Sequence, residues 1–268
     1  MRTVRTVLAV GVVLLTGCGS VERAPRSGDV GQTSATAGIG STTATSGQAR
    51  QEIYIDSVTV QNPLIVYGRA RTFENTVQVR ARDDQGGEIA EVFTTSVGEM
   101  GNHNPFVASV WLARPPGSQV IVESFEYSAN DGSVRSLTAD TVTFPVPNST
   151  HIVDFPGNDC SRTVTARREA PRTVAVARLL AEILVAGPDS SERAAGAASV
   201  FPGGSRVQSV ILRQGDLTVD FNERLQNVGG SCAAQAIRAS VTATLSRLPS
   251  VRRVIITAGG SQDLALQP

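Results

Sequence analysis

Lysine is absent from this chain, so every basic side chain other than histidine is an arginine, and 24 of them face 24 Asp and Glu residues. A formal charge of zero over 268 residues gives no electrostatic case for nucleic acid as a partner. Histidine occurs twice, as His103 and His151, cysteine occurs three times, and no His or Cys cluster has the spacing of a zinc site. Neither a nucleophile elbow nor a phosphate-binding glycine loop occurs; the Gly-Gly-Ser runs that begin at 203, 229 and 259 read as turns. A single Trp and three Tyr leave little for the aromatic platforms of a glycan site. Together these absences point away from an enzyme, and they imply neither cofactor nor metal.

What is present begins at the N-terminus. Arg2 and Arg5 form a positive region, and Val7 to Leu15 an apolar stretch too short to cross roughly 30 Å of hydrocarbon as a helix. The segment reads as a secretory signal removed at residue 17. Leu15-Thr16-Gly17-Cys18 resembles the bacterial lipobox, in which the Cys18 thiol is acylated and becomes the new N-terminus. The resemblance implies an extracytoplasmic protein anchored to a membrane by lipid, at the cell surface or on a periplasmic face. The alternative is an ordinary signal peptide with a coincidental cysteine. Loss of residues 1–17 removes Arg2 and Arg5, leaving 22 Arg against 24 acidic residues, a balance of 22 − 24 = −2. With Cys18 acylated, Cys160 and Cys232 remain, an even number in a compartment where disulfides persist. A Cys160–Cys232 bridge is the expectation, and two buried free thiols the alternative.

Residues 18–50 are rich in Ser, Thr, Gly and Ala, have hardly any large apolar side chain, and read as a disordered tether. Residues 51–147 read as about seven short strands, with Val77, Val79 and Ala81 alternating with Gln78, Arg80 and Arg82. Asn62-Pro63, Asp84-Gln85-Gly86-Gly87 and Asn130-Asp131-Gly132 supply turns. This is the pattern of an all-β immunoglobulin-like sandwich.

From 150 to 264 the pattern changes. A short strand at His151 to Phe155 precedes a helix whose apolar positions are Val176, Leu179, Leu180, Ile183 and Leu184, stopped by Gly187-Pro188. A hairpin follows, from Val207 to Leu212 and from Leu217 to Phe221, joined at Gln214-Gly215-Asp216. Ser231 is the candidate N-cap of a second helix whose stripe is Ile237, Val241, Thr244, Leu245 and Leu248, and Val251 to Thr257 forms a last strand. The order β-α-β-β-α-β predicts an α+β domain with helices on one face of a small sheet.

Two families are recognisable at this point. Asn62-Pro63-Leu64, Gly68 to Glu74, Val77 to Arg82, Gly98 to Phe106, and Phe125-Glu126-Tyr127-Ser128 with Asp131-Gly132-Ser133 resemble the immunoglobulin-like, Gmad-type domain of bacterial spore germination. Leu179-Leu180, Gly187-Pro188, Glu192, Gly196, Ser199, Pro202-Gly203-Gly204, Val219-Asp220-Phe221 and Leu248 to Val251 resemble a GerMN domain of sporulation and germination proteins. The resemblance implies a non-catalytic binding or assembly module of the cell envelope, with an envelope protein or cell-wall polymer as partner and homo-oligomers through the GerMN domain. Neither family brings catalytic residues to carry over.

The remaining candidates each have a structural reading. His103 is a ligand contact or a loop brace. Asp83, Asp84 and Glu88 are a calcium set without EF-hand spacing, or an exposed acidic turn. Asp220 is the acid that a peptidoglycan-active enzyme, or an accessory to a peptidoglycan hydrolase, would need, or else a capping group. Trp111 follows Val107 and Ser109 at strand spacing and reads as core. Arg167, Arg168, Arg172, Arg252 and Arg253 are contacts for teichoic acid or anionic lipid, or scattered solvated charges.

Overall fold

Alternating side chains draw the first half of the chain into seven strands: β1 (Ile53–Thr59), β2 (Leu64–Ala70), β3 (Thr76–Arg82), β4 (Glu88–Thr95), β5 (Asn104–Val110), β6 (Gln119–Tyr127) and β7 (Val134–Thr143). The computed structural model describes residues 51–266 apart from 160, 161 and 227. The strands form two antiparallel sheets, ordered β1-β2-β5 and β4-β3-β6-β7. In β3, Val77, Val79 and Ala81 are wholly buried while Gln78, Arg80 and Arg82 lie on the other face. The inner faces meet in a core that includes Ile53, Leu64, Val66, Phe106, Val110, Val120 and Val122. This is the expected immunoglobulin-like sandwich.

Gly68 shows why one position on β2 carries no side chain. A Cβ there would stand 2.2 Å from the Tyr54 carbonyl oxygen and 2.5 Å from the Phe106 ring. The ring occupies the space above the glycine.

The second half holds β8 (Asn148–Pro156), β9 (Thr163–Pro171), α1 (Val176–Ala186), α2 (Ser190–Ala194), β10 (Val207–Arg213), β11 (Asp216–Phe221), α3 (Ser231–Leu245) and β12 (Arg253–Ala258). The order is therefore β-β-α-α-β-β-α-β, and the predicted β-α-β-β-α-β string needs correction at two places. β9 pairs with β8 over nine residues, Asn148↔Pro171 to Pro156↔Thr163. Its own run, Thr-Val-Thr-Ala-Arg-Arg-Glu-Ala-Pro, carries too few large apolar residues to announce a strand; pairing with β8 makes it one. α2 is a five-residue helix, too short to show a period. What holds it is a capping box: Asp189 accepts from the Glu192 N–H, and Glu192 accepts from the Asp189 N–H. The strands, moreover, divide into the β8–β9 hairpin and a separate sheet β10-β11-β12, in which β11 and β12 run parallel.

α1 ends as expected, with Gly187 at φ +79° returning its N–H to Ile183 and Leu184. The β10–β11 turn places Gln214 and Gly215 both at positive φ, the conformation that a two-residue hairpin turn demands. The second helix starts one residue earlier than predicted. Gly230 occupies the N-cap without a side-chain bond, and Ser231 is the first helical residue. Leu179, Leu180, Ile183 and Leu184 of α1 join Ile237, Val241 and Leu245 of α3 over Leu217, Val219, Phe221 and Ile256 of the sheet.

Two polar clusters pin these elements. Asp154 on β8, its side chain 2% exposed, accepts from Arg247 at 2.7 and 3.0 Å and from Thr165 at 2.5 Å. Its backbone bonds Ser240 and Thr244 of α3. Burial alone would raise the Asp154 pKa, but the bonds from Arg247 and Thr165 outweigh it and hold the carboxyl below its ordinary range. The second cluster joins β9 to α2: Arg168 and Glu192 form an ion pair with side chains 11% and 8% exposed. Arg168 also donates to the Gly187 carbonyl and lies over the Phe155 ring.

Residues 49–268 form one compact unit. Asn62, in the β1–β2 turn, links its two halves: the side-chain amide donates to the carbonyls of Leu112 and Pro171 at 3.2 and 3.0 Å, and its oxygen accepts from the Leu112 N–H.

Candidate functional site

Each residue singled out above has a definite place, or lies outside the described residues. Cys18 and the tether do so, as does Cys160. Cys232 sits in the first turn of α3 and is not a free thiol.

His103 braces the start of the sandwich. Its Nε2 lies 3.2 Å from the Gln51 carbonyl and 4.0 Å from the Glu52 carboxylate, and its ring meets Tyr54 edge-on at 5.4 Å. His151 bonds the Ser149 hydroxyl at 2.8 Å, and burial lowers its pKa. The acidic turn is a turn. Asp83 pairs with Arg114 at 2.8 Å and accepts from the N–H groups of Gln85 and Gly87; the Arg114 bond is the main cause that lowers its pKa. Asp84 turns instead to the Ser118 N–H. No group of three or more His, Cys, Asp or Glu suited to a metal occurs among the described residues.

Asp220 faces out from the central strand of the β10-β11-β12 sheet. Its Oδ1 accepts from the Thr257 hydroxyl at 2.6 Å and from the Gly260 N–H at 2.9 Å, which fixes the turn after β12. That is a capping role. Of the arginines, Arg168 is committed to Glu192, Arg253 to Asp216 at 2.5 Å and Arg252 to the Gln214 carbonyl, while Arg167 and Arg172 are exposed on and just beyond β9.

Trp111 departs from its predicted place. Its spacing from Val107 and Ser109 holds, but those residues lie on the outward face of β5, whereas Phe106, Ala108 and Val110 face the sandwich core. The indole therefore stands outside the sandwich, where the second half partly covers it and the Arg178 guanidinium lies 5.6 Å from its ring.

Around it opens a cleft of about 560 Å³ between the two halves, a volume within the range of ligand sites. One wall is β4 and β5; the other is α1 and the segment 204–208. Arg178 is held from several sides: by Glu182 at 2.8 Å, by the Gln208 carbonyl at 2.9 Å and by the Val207 carbonyl. Burial raises the Glu182 pKa in spite of that partner. Arg206 lies 4.5 Å over the Phe93 ring. The cleft thus combines a stacked cation, a shielded ion pair and two aromatic rings. Nothing in the sequence marked it, since its residues come from five separate segments.

Within one compact unit the fold joins an immunoglobulin-like sandwich to a helix-covered α+β half. Residues 56–133 match the immunoglobulin-like domain of bacterial spore germination, and residues 141–264 match the sporulation and spore germination domain. The chain accordingly carries two germination-related domains in series, as their motifs suggested, and neither belongs to a known enzyme family. No curated protein matches the chain. Among solved structures, it is similar to the first GerMN domain of the sporulation protein GerM from Bacillus subtilis, at 22% identity and a TM-score of 0.36 over 42% of this chain and 84% of that one. The tandem GerMN domains of the same protein are matched at 24% identity and a TM-score of 0.35, over 42% of this chain and 40% of that one.

Proposed function

We propose that the chain is a lipid-anchored lipoprotein acting outside the cytoplasm as a non-catalytic binding and assembly module of the bacterial cell envelope, in sporulation or germination. The single observation that carries the reading is the lipobox-like Leu15-Thr16-Gly17-Cys18 behind a short apolar signal, ahead of two germination-related domains. The commitment of Asp220 to Thr257 and Gly260 supports it, because the carboxylate that peptidoglycan chemistry would need already has structural work. The proposed domains are residues 51–147 and 150–264, with 18–50 as a tether that keeps them near the membrane yet able to reach partners. We further propose that Cys232 pairs with Cys160, closing a loop of roughly 70 residues and contributing roughly 4 kcal/mol in the chain-entropy view.

Expression of the full chain and of Cys18→Ser in a bacterium, with membrane fractionation and in-cell crosslinking, tests the reading. Membrane association and crosslinks to envelope proteins should both fall for Cys18→Ser. Recovery of no partner, together with muropeptide release that Asp220→Asn abolishes, would overturn it.

A further inference from the structure

The cleft is bordered by six consecutive residues of β4, Ile89 to Thr94, and by Val107 to Ser109 of β5. Side chains alternate along a strand, so a consecutive run can border one space only where the backbone edge itself faces it. β4 is the outermost strand of its sheet and β5 the outermost of the other. Among the described residues the outer N–H and C=O groups of β4 have no ladder partner. The edge has neither proline nor lysine, and its two acidic side chains, Glu88 and Glu91, are engaged by Arg80, with Tyr127 also donating to Glu91. Two ties join the edges at one end: the Thr94 hydroxyl donates to the Val107 carbonyl at 2.8 Å and, just past β4, the Val97 N–H donates to the Pro105 carbonyl at 2.9 Å. Phe93 and Val107 flank the opening with 54% and 53% of their surface exposed.

Charge completes the picture. Arg178 is saturated by Glu182, two carbonyls and the Trp111 ring. Arg206 is not: it rests on Phe93 and its field reaches Glu182, yet no carboxylate of the described residues lies within ion-pair distance of it. A cation spread on an aromatic ring beside an open strand edge suits a ligand that brings backbone hydrogen bonds, apolar side chains and a carboxylate together.

We propose that this cleft is a docking groove for an extended acidic segment of a partner protein, which adds as a strand to the β4 edge and sets a carboxylate on Arg206. Alternate side chains of that segment then fall toward Trp111 and Val185 on one side and toward solvent on the other. The assignment rests on the binding-module reading above and names the surface through which such a module takes a partner.

Trp111 is the sole tryptophan of the chain and it lines the groove, so its fluorescence reports occupancy of the full-length protein directly. The probes are synthetic peptides of about eight residues alternating Val and Glu, long enough to cover the roughly 17–20 Å of edge. Two controls replace Glu by Lys, or N-methylate alternate residues to block strand pairing. The acidic peptide should give a saturable change in Trp111 emission, with both controls weaker by at least about tenfold. Arg206→Glu should invert the preference between the Glu and Lys peptides; the N-methylated peptide tests the strand without altering the protein. Equal binding of all three peptides, or binding of none to folded wild type, overturns the groove. An emission change that follows protein concentration without peptide assigns the groove to a second copy, and overturns the acidic partner. Wild-type protein that ignores every peptide but still crosslinks to envelope proteins in cells would fail the groove alone; absence of those crosslinks fails the module reading.

Discussion

Glu192→Ala tests the reasoning about the buried polar clusters most directly. In the folded chain Glu192 accepts from Arg168, with the Nε contact at 3.1 Å, and from the Asp189 N–H at 2.7 Å. Its truncation leaves the Arg168 guanidinium, its side chain 11% exposed, with the Gly187 carbonyl and the Phe155 ring as contacts and the more distant Asp189 carboxylate as a remaining opposite charge. Breaking a buried pair from one side costs about 3–5 kcal/mol because the remaining charge is stranded. The lost half of the capping box adds about 0.5–1 kcal/mol, while relaxation of Arg168 toward water offsets part of the sum, so about 3–4 kcal/mol is expected. At about 2–4 °C per kcal/mol for a unit of this size, the melting temperature by far-UV circular dichroism should fall about 6–16 °C. Glu192→Gln keeps an acceptor and the size, and should cost about half as much. Replacing Arg168 by Met in the Glu192→Ala background removes the stranded charge and should recover part of the loss. A Glu192→Ala protein melting within about 2 °C of wild type, or a double variant worse than the sum of the singles, would refute the argument.

Three further outcomes follow from the same structure. Asp154 has its pKa held below the ordinary 3.8, so its contribution is present above that value and is lost as pH falls through the folded-state pKa; melting curves of Asp154→Asn should lie well below wild type at pH 6 and converge with it in acid, and a constant gap would count against the assignment. Glu182 has its pKa raised by burial from an ordinary 4.5, so above that pH the unfolded chain loses the proton first and stability declines until the folded-state pKa is passed. Glu182→Gln should flatten that decline in a series of melts from pH 4 to 7, whereas parallel curves would show that the carboxyl is not strained by its surroundings. Gly68→Ala should push β1 from β2 or displace Phe106, at about 1–3 kcal/mol read by urea unfolding.

Local pattern made much of this fold legible. Val77, Val79 and Ala81 announce a strand buried on one face, and Gln214-Gly215 announces a tight hairpin, because each signal lies within a few residues of its effect. β9 was not legible, since its strand character comes from β8 and not from its own side chains. Trp111 shows the same limit at the site: parity along the strand assigned it to the right row of residues, but which face of that row is covered depends on a domain that begins almost 40 residues later. Asp220 and Asp83 each had a chemical and a structural reading in the sequence, and the positions of Thr257, Gly260 and Arg114 decide for the structural one in both. The cleft was hidden for the same reason. An open strand edge is a property of what fails to pair with it, and no sequence window contains that.

The amide of Asn62 has a consequence for how this chain can be divided. One nitrogen serves a carbonyl in each half, and the outward face of Trp111 is covered by the second half. A cut near residue 147 would therefore open a polar wound and an apolar one at the same seam. Fragments made that way would gain a sticky surface that the intact protein never presents, and partners captured on it would be artefacts of the knife.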